Sequence, residues 1–390
     1  MRKGLINQRV AAIAPSASLS LSSAVEAMLA RGERVCNLTA GEPDVDTPAV
    51  IQAAALRALQ AGRTKCAPAA GLGELREAIT QKLGRENGLV YPASQVIVCN
   101  GARHALFNVF MALLREGDDV LLPAPYWLSY PEMIRVAGGR TVVVPGREEN
   151  HFKITPQELE AALTPQSKVL VLNSPCNPTG SVYSRTELKA LCEAAVARGL
   201  YIVSDEIYET ALYDGAEHVS VGSLSPEIFA QTITVNGFSQ AFAMSGWRLG
   251  YVAAPEFLAK AVATLQSHST SGPNTFAQYG ALAALAGVDT ERKAMRQAFA
   301  ERRDLLYRRL ESIRGLACVK PMGAFYMLPN ISRFGLAPAV FAERLLADQK
   351  VAVVPGESFG APAHVRLSYA CGLDEIREAA DRLETFVSGL

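Results

Sequence analysis

Several short segments of this chain carry side chains that could hold a small charged ligand, and most follow directly on an apolar run. Asn100-Gly101-Ala102-Arg103 leads into a helical pattern at Ala105, Leu106, Val109, Phe110 and Leu113. A glycine turn feeding a helix start aims free backbone N–H groups at an anion, although an ordinary strand-to-helix turn reads the same way. In Ser204-Asp205-Glu206-Ile207-Tyr208, Asp205 comes straight after the apolar stretch at 201–203. A carboxylate there is costly unless it meets a cation or several donors. A protonated ring nitrogen would serve, and Tyr208 could reach the same ligand; the plain alternative is a helix cap. Pro125-Tyr126-Trp127 offers an indole that could cover an aromatic ligand or fill the core. In the segment from Asn173 to Gly180, two prolines and a glycine make either a rigid loop that aims the Asn177 amide or a tight turn. Ser239 and Arg248, within 237–248, could hold a phosphate. Arg366 interrupts an apolar strand pattern and is either half of a structural ion pair or a fork for a carboxylate. Gly71-Leu72-Gly73 lacks the preceding strand and third glycine of a dinucleotide-binding turn.

These residues act together only if the chain brings them to one place. Apolar runs at 96–99, 119–122, 141–144, 168–172, 201–204, 232–235 and 249–253 are rich in Val, Ile and Leu with little alternation, as in strands covered on both faces. Between them, Thr47-Pro48 predicts a cap followed by proline at the first helical position, with Gly62 closing the helix. Thr155-x-x-Glu158 and Ser184-x-x-Glu187 read as capping boxes, and Gly199 ends the second of these helices. Repeated strand–helix units predict an α/β fold with a mostly parallel central sheet of about seven strands flanked by helices. In such sheets, sites gather at the carboxyl ends of the strands. From about residue 290 the pattern changes to long charged helix, strands near 324–328, 351–354 and 365–368, and a final helix from about Asp374. The expected division is an N-terminal arm (1–47), a large domain (48–288) and a smaller α+β domain (289–390) with which the arm packs.

A chain of 390 residues, 49% apolar, is long enough for two such domains. Its 38 basic and 38 acidic residues balance, so no net field favours nucleic acid or an anionic membrane. No apolar run approaches the ~18 residues of a membrane span, and residues 1–10 lack the apolar core of a signal peptide. Seven scattered cysteines with no Cys-x-x-Cys pair predict reduced thiols and a cytoplasmic location. Five histidines show no metal-ligand spacing, so no metal is expected.

Taken in chain order, Gly41-Glu42-Pro43-Asp44, Pro125-Tyr126-Trp127, Asn177-Pro178-Thr179-Gly180, the Ser204–Tyr208 segment, the block 237–250 and Arg366 resemble the class I, fold-type-I aminotransferases that use pyridoxal phosphate. The resemblance is closest to their prokaryotic aspartate/prephenate branch and runs from Asn7 to the C-terminus. It implies transfer of an amino group between an amino acid, dicarboxylic for preference, and a 2-oxo acid. It further implies that Asp205 pairs with the pyridine nitrogen, Asn177 and Tyr208 hydrogen-bond the ring's phenolic oxygen, and Trp127 stacks on the ring. The Ala102 and Arg103 backbone, Ser239 and Arg248 would hold the phosphate. Arg366, with Asn177 and the Gly41 backbone, would clamp the substrate α-carboxylate; Arg103, with the hydroxyls of Ser16 and Ser18, would meet a second carboxylate, or Arg103 would only brace the phosphate loop. The family is usually a homodimer with shared active sites, so segments 64–71 and 269–274 are expected to complete a partner's site.

Three residues depart from the family pattern. Gln240 stands where the resemblance places the Schiff-base lysine, Cys66 where it places a tyrosine reaching the partner's phosphate, and Arg103 where dicarboxylate-specific members commonly carry lysine. The last change keeps the charge. An amide is neither nucleophilic nor titratable, and loss of a positioned acid–base group alone costs on the order of 10²–10⁴ in rate. The ring and phosphate contacts remain, so pyridoxal 5'-phosphate or pyridoxamine 5'-phosphate is expected to bind non-covalently. Three readings stay open: a diverged aminotransferase with altered activity, a substitution engineered to trap a complex, and a non-catalytic binder of a vitamin B6 vitamer or amino-acid adduct. Cys66, a second departure at the same site, favours divergence.

Overall fold

The computed structural model describes residues 6–14 and 17–390, and the side chains of these except at 17–20 and 22. A short strand β1 (Cys36–Asn37) precedes the seven strands of the central sheet: β2 (Val96–Cys99), β3 (Asp119–Ala124), β4 (Arg140–Pro145), β5 (Ser167–Asn173), β6 (Tyr201–Asp205), β7 (Thr232–Gly237) and β8 (Gly250–Ala253). Their order is β2-β8-β7-β6-β5-β3-β4. β8 is antiparallel to both neighbours, and all other pairs are parallel.

Both faces of this sheet are covered, which explains why its strands read as unbroken apolar runs. Val169 and Val171 of β5 and Val203 of β6 pack with Ala105, Leu106 and Val109 of the helix Ala102–Leu113. Leu170, Leu172 and Ile202 face the other way, onto Leu188, Leu191 and Cys192 of the helix Arg185–Ala197. β4 is an edge strand; it exposes Arg140 and Val143, and ends in proline, as an edge tolerates. The capping boxes at Thr155 and Ser184 are both formed, and Gly199 follows the second helix with φ +73°.

Thr47 does not cap the helix it precedes. That helix runs Ala49–Gln60, with Pro48 in the cap position and no side-chain cap. The Thr47 hydroxyl is committed elsewhere: it donates to the Ala243 carbonyl at 2.5 Å and accepts from Trp247 Nε1 at 3.0 Å.

The C-terminal third adds β9 (Tyr326–Met327), β10 (Val351–Ala352), β11 (Val354–Pro355) and β12 (Val365–Ser368). The single strand expected at 351–354 is two. β10 pairs parallel with β1, and after Val353 the chain changes partner, so β11 pairs antiparallel with β12. Cys36 and Leu38 share one apolar cluster with Phe299, Leu306, Phe341 and Leu383, and this cluster reaches Ile207 and Tyr208 at the end of β6.

The loop after β5 is tied to this cluster through Gly180. Its carbonyl accepts from Met322 and Gly323 N–H, both at 2.9 Å. Gly180 has φ +68°, and a Cβ there would lie 2.3 Å from Pro321 Cβ. Gly180→Ala should therefore destabilise the chain by at least about 2 kcal/mol, from left-handed strain plus overlap. The check is the thermal midpoint beside far-UV circular dichroism, with an unchanged midpoint contradicting the packing described.

Candidate active site

The carboxyl ends of β2, β5, β6 and β7 open onto one cavity of about 720 Å³. Asp205, the last residue of β6, lines it and is 4% exposed. It pairs in register with Asn173 at the end of β5. The Asn173 side chain joins the two strand ends: Nδ2 donates to the Asp205 carbonyl at 3.0 Å, and Oδ1 accepts from Asn177 N–H at 2.8 Å. The Asp205 carboxylate accepts from Tyr130 Oη at 2.6 Å and from Ile207 N–H at 3.3 Å. No cation pairs with it among the described residues. Burial pushes its pKa up to about 6 against the opposing effect of those two bonds.

The turn after Asp205 is anchored from behind by buried carboxylates. Glu206 accepts from Ser204 Oγ at 2.8 Å and Ser220 Oγ at 2.5 Å, and bonds His218 Nε2 at 3.0 Å. Glu209 pairs with Lys82 and accepts from Asn87 Nδ2 at 2.7 Å. Glu206, Glu209 and His218 lie close enough together to hold an ion, but Lys82 already supplies a cation there.

Arg366 of β12 crosses into the same cavity, 3% exposed. Nη1 donates to Asn177 Oδ1 at 3.1 Å and Nη2 to the Thr39 carbonyl at 2.8 Å, while Nε has no partner. Its guanidinium carbon lies 4.5 Å from the centre of the Tyr326 ring. No carboxylate pairs with it among the described residues; burial lowers its pKa, opposed by Tyr326 and Tyr208. Tyr208 Oη is 2.9 Å from Tyr326 Oη and accepts from Asn177 Nδ2 at 3.4 Å.

Across the cavity, Gly101 precedes the helix Ala102–Leu113 with φ +89° and provides no side-chain cap. The first N–H groups of that helix are thus open to an anion. A Cβ at 101 would lie 2.5 Å from Arg248 Nη2, so glycine makes room for this guanidinium. The Arg103 guanidinium lies 4.9 Å from the Trp127 ring centre. Ser239 and Gln240, just after β7, line the cavity beside them. Gln240 Nε2 donates to the Gly41 carbonyl at 3.0 Å. No lysine lines the cavity among the described residues.

The cavity brings together Gly41, Ala102, Arg103, Trp127, Asn177, Asp205, Tyr208, Ser239, Gln240, Arg248 and Arg366, all singled out by sequence. Cys66 is exposed and does not line it. Ser16, and the side chain of Ser18, lie outside the described residues. Sequence reading missed Tyr130, Tyr326 and the Thr39 carbonyl. Tyr326 sits in a short apolar strand and reads as core; Tyr130, three residues beyond Trp127, carries no motif of its own.

Residues 33–383 match the family described as aminotransferase class I and II. The chain is 49% identical over 386 residues to the aspartate aminotransferase of Geobacillus stearothermophilus, covering 97% of this chain and 98% of that one. It is 47% identical over 380 residues to the aspartate/prephenate aminotransferase of Thermus thermophilus, covering 97% of each. A solved structure of aspartate aminotransferase from Thermus thermophilus with maleate superposes with a TM-score of 0.93 at 46% identity, over 99% of both chains. The chain belongs to the class I and II aminotransferases, enzymes of the fold-type-I pyridoxal-phosphate group.

The raised Asp205 pKa has a signed consequence for stability without ligand. The folded chain holds a proton that the unfolded chain releases above the ordinary value of 3.8, so this stabilisation is full below 3.8 and is lost as pH rises through about 6. The ionised group then destabilises the ligand-free fold by about 3 kcal/mol. Asp205→Asn should therefore gain stability over the parent chain at pH 8 and show little gain at pH 4, measured by urea unfolding. An equal shift at both pH values would contradict the assignment.

Proposed function

We propose that this chain is an aspartate-aminotransferase-like protein that holds pyridoxal 5'-phosphate or pyridoxamine 5'-phosphate non-covalently. Its transfer between a dicarboxylic amino acid and a 2-oxo acid is altered because Gln240 occupies the lysine position. The observation that carries the reading is Arg366, a buried guanidinium with two neutral acceptors and, among the described residues, no carboxylate. Such a group is costly unless an anion arrives, and a carboxylate matches its fork.

The donor set fits the cofactor. Asp205 offers an unpaired buried carboxylate to a protonated ring nitrogen, and Tyr208 with Asn177 offers hydrogen bonds to a phenolic oxygen. Trp127 offers a ring face. The open helix start at Ala102 and Arg103, with Ser239 and Arg248, suits a phosphate. Bound there, pyridoxal phosphate supplies an electron-withdrawing ring that takes up charge when a bond to the substrate α-carbon breaks. Asp205 keeps the proton on the ring nitrogen. Arg366, Asn177 and the Gly41 backbone orient the α-carboxylate, and Arg103 receives a second one.

Gln240 follows Ser239 and precedes Arg248 by eight residues, the spacing the family uses for its lysine. An amide there moves no proton, which lowers the rate by at least on the order of 10²–10⁴. Among the described residues no lysine amine lines the cavity, which favours a second reading, a non-catalytic binder of a vitamin B6 vitamer.

A homodimer with shared sites is part of the proposal. Thr275 Oγ1 donates to the Lys65 carbonyl at 2.7 Å, and Gly272 lies against Ala69, so segments 64–71 and 269–274 form one joint surface beside the exposed Cys66. Cys66 would stand where a partner's tyrosine meets the phosphate. The division into 1–47, 48–288 and 289–390 is supported by the apolar cluster of 299–387, which takes in Cys36 and Leu38 and meets the large domain at Ile207, Tyr208 and Tyr213. Seven free cysteines suit a cytoplasmic setting.

Gln240→Lys should give a visible absorbance band that shifts on adding an amino donor, with the cofactor fixed to residue 240 by borohydride. Amino transfer should rise by on the order of 10² or more, and Cys66→Tyr in the same chain should raise it further. A Gln240→Lys chain that binds the cofactor without attaching it would reject the assignment of this position. Arg103→Ala should weaken the response to aspartate and glutamate while sparing alanine; equal loss for all three would reject its role with the second carboxylate.

A further inference from the structure

One half of the Gln240 amide is engaged and the other is idle. Nε2 donates to the Gly41 carbonyl at 3.0 Å. A carbonyl oxygen only accepts, so the amide nitrogen must face it and the orientation of the amide is fixed. Oε1 is left as a buried acceptor with no hydrogen-bond partner. Buried polar atoms in folded chains are nearly always paired, and one left alone at a ligand cavity asks for a donor. Its surroundings ask for the same thing. The Gly41 carbonyl has a second lone pair, and the Glu42 carboxylate next to it lines the cavity, receiving the Ser245 hydroxyl. Among the described residues, no lysine lines the cavity to engage an aldehyde.

We propose that Gln240 makes this cavity selective for the amine form of vitamin B6 phosphate, receiving the primary ammonium on the 4' carbon at Oε1 beside the Gly41 carbonyl. The proposal rests on the reading that the cavity takes a vitamin B6 phosphate, and adds which form it takes. The aldehyde form presents only an acceptor oxygen at that carbon. To donate to it, Gln240 would have to turn and abandon the Gly41 carbonyl, leaving a backbone acceptor unpaired. The amine form needs no such change, and its positive charge strengthens the bond. The binding step makes and breaks no covalent bond.

The test is equilibrium binding of three compounds to the full chain by titration calorimetry. They are pyridoxamine 5'-phosphate, pyridoxal 5'-phosphate and 4-deoxypyridoxine 5'-phosphate, whose methyl group replaces the 4' function and reacts with no lysine. Pyridoxamine 5'-phosphate should bind about tenfold tighter than the methyl compound, the size of one charge-assisted hydrogen bond. Pyridoxal 5'-phosphate should bind no tighter than the methyl compound. In Gln240→Met, of similar size and without the acceptor, the amine-to-methyl ratio should fall to about one. Equal binding of amine and methyl compounds by the parent chain would overturn the amine selectivity and leave the vitamin B6 reading standing, as would a preference that survives in Gln240→Met. Failure of all three to bind at millimolar concentration would overturn both.

Discussion

Asp205 and Arg366 carry opposite charges, line one cavity, and are both almost fully buried without forming an ion pair. Each is given neutral partners instead. The carboxylate has Tyr130 and the Ile207 N–H, and the guanidinium has Asn177 and the Thr39 carbonyl. Uncompensated buried charges cost several kcal/mol each. Their persistence requires surroundings that cannot collapse to bring them together. Asn173 supplies one restraint by tying the ends of β5 and β6 to the loop that carries Asn177. The Glu206–His218 and Glu209–Lys82 cluster supplies another, fixing the turn between Asp205 and Tyr208 from the side away from the cavity.

On the reading proposed above, the site distinguishes holding from reacting. The groups proposed to recognise a ring, a phosphate and a carboxylate sit mostly on strand ends and a helix start, where the backbone sets their positions. The position from which a base would act hangs on a single side chain, and there the chain carries an amide tied to Gly41. On the proposed assignment, exchanging that side chain alters proton transfer while leaving the scaffold of recognition in place.

What the sequence made legible followed from local rules. The seven sheet strands appear within a residue or two of their apolar runs because both faces are buried, and the capping boxes at Thr155 and Ser184 declare themselves within four residues. Less legible were features set by distant partners. Thr47 has the sequence of a cap, yet its hydroxyl serves Ala243 and Trp247, about two hundred residues away. The break at Val353 exists because the chain exchanges one strand partner for another, which no local pattern records. Tyr130 and Tyr326 escaped because a buried tyrosine near an apolar run reads as core, and only the fold reveals that their hydroxyls meet Asp205 and Tyr208. Arg366 was legible as an anomaly, and the structure removed the ion-pair alternative among the described residues.

The most direct test of the central claim is a crystal structure of the chain grown with pyridoxal 5'-phosphate. The account predicts the ring against Trp127, its nitrogen within hydrogen-bond distance of Asp205, the phosphate at the start of the helix Ala102–Leu113, and no covalent link to any residue. A ligand joined to a lysine, or bound away from Asp205, would contradict it.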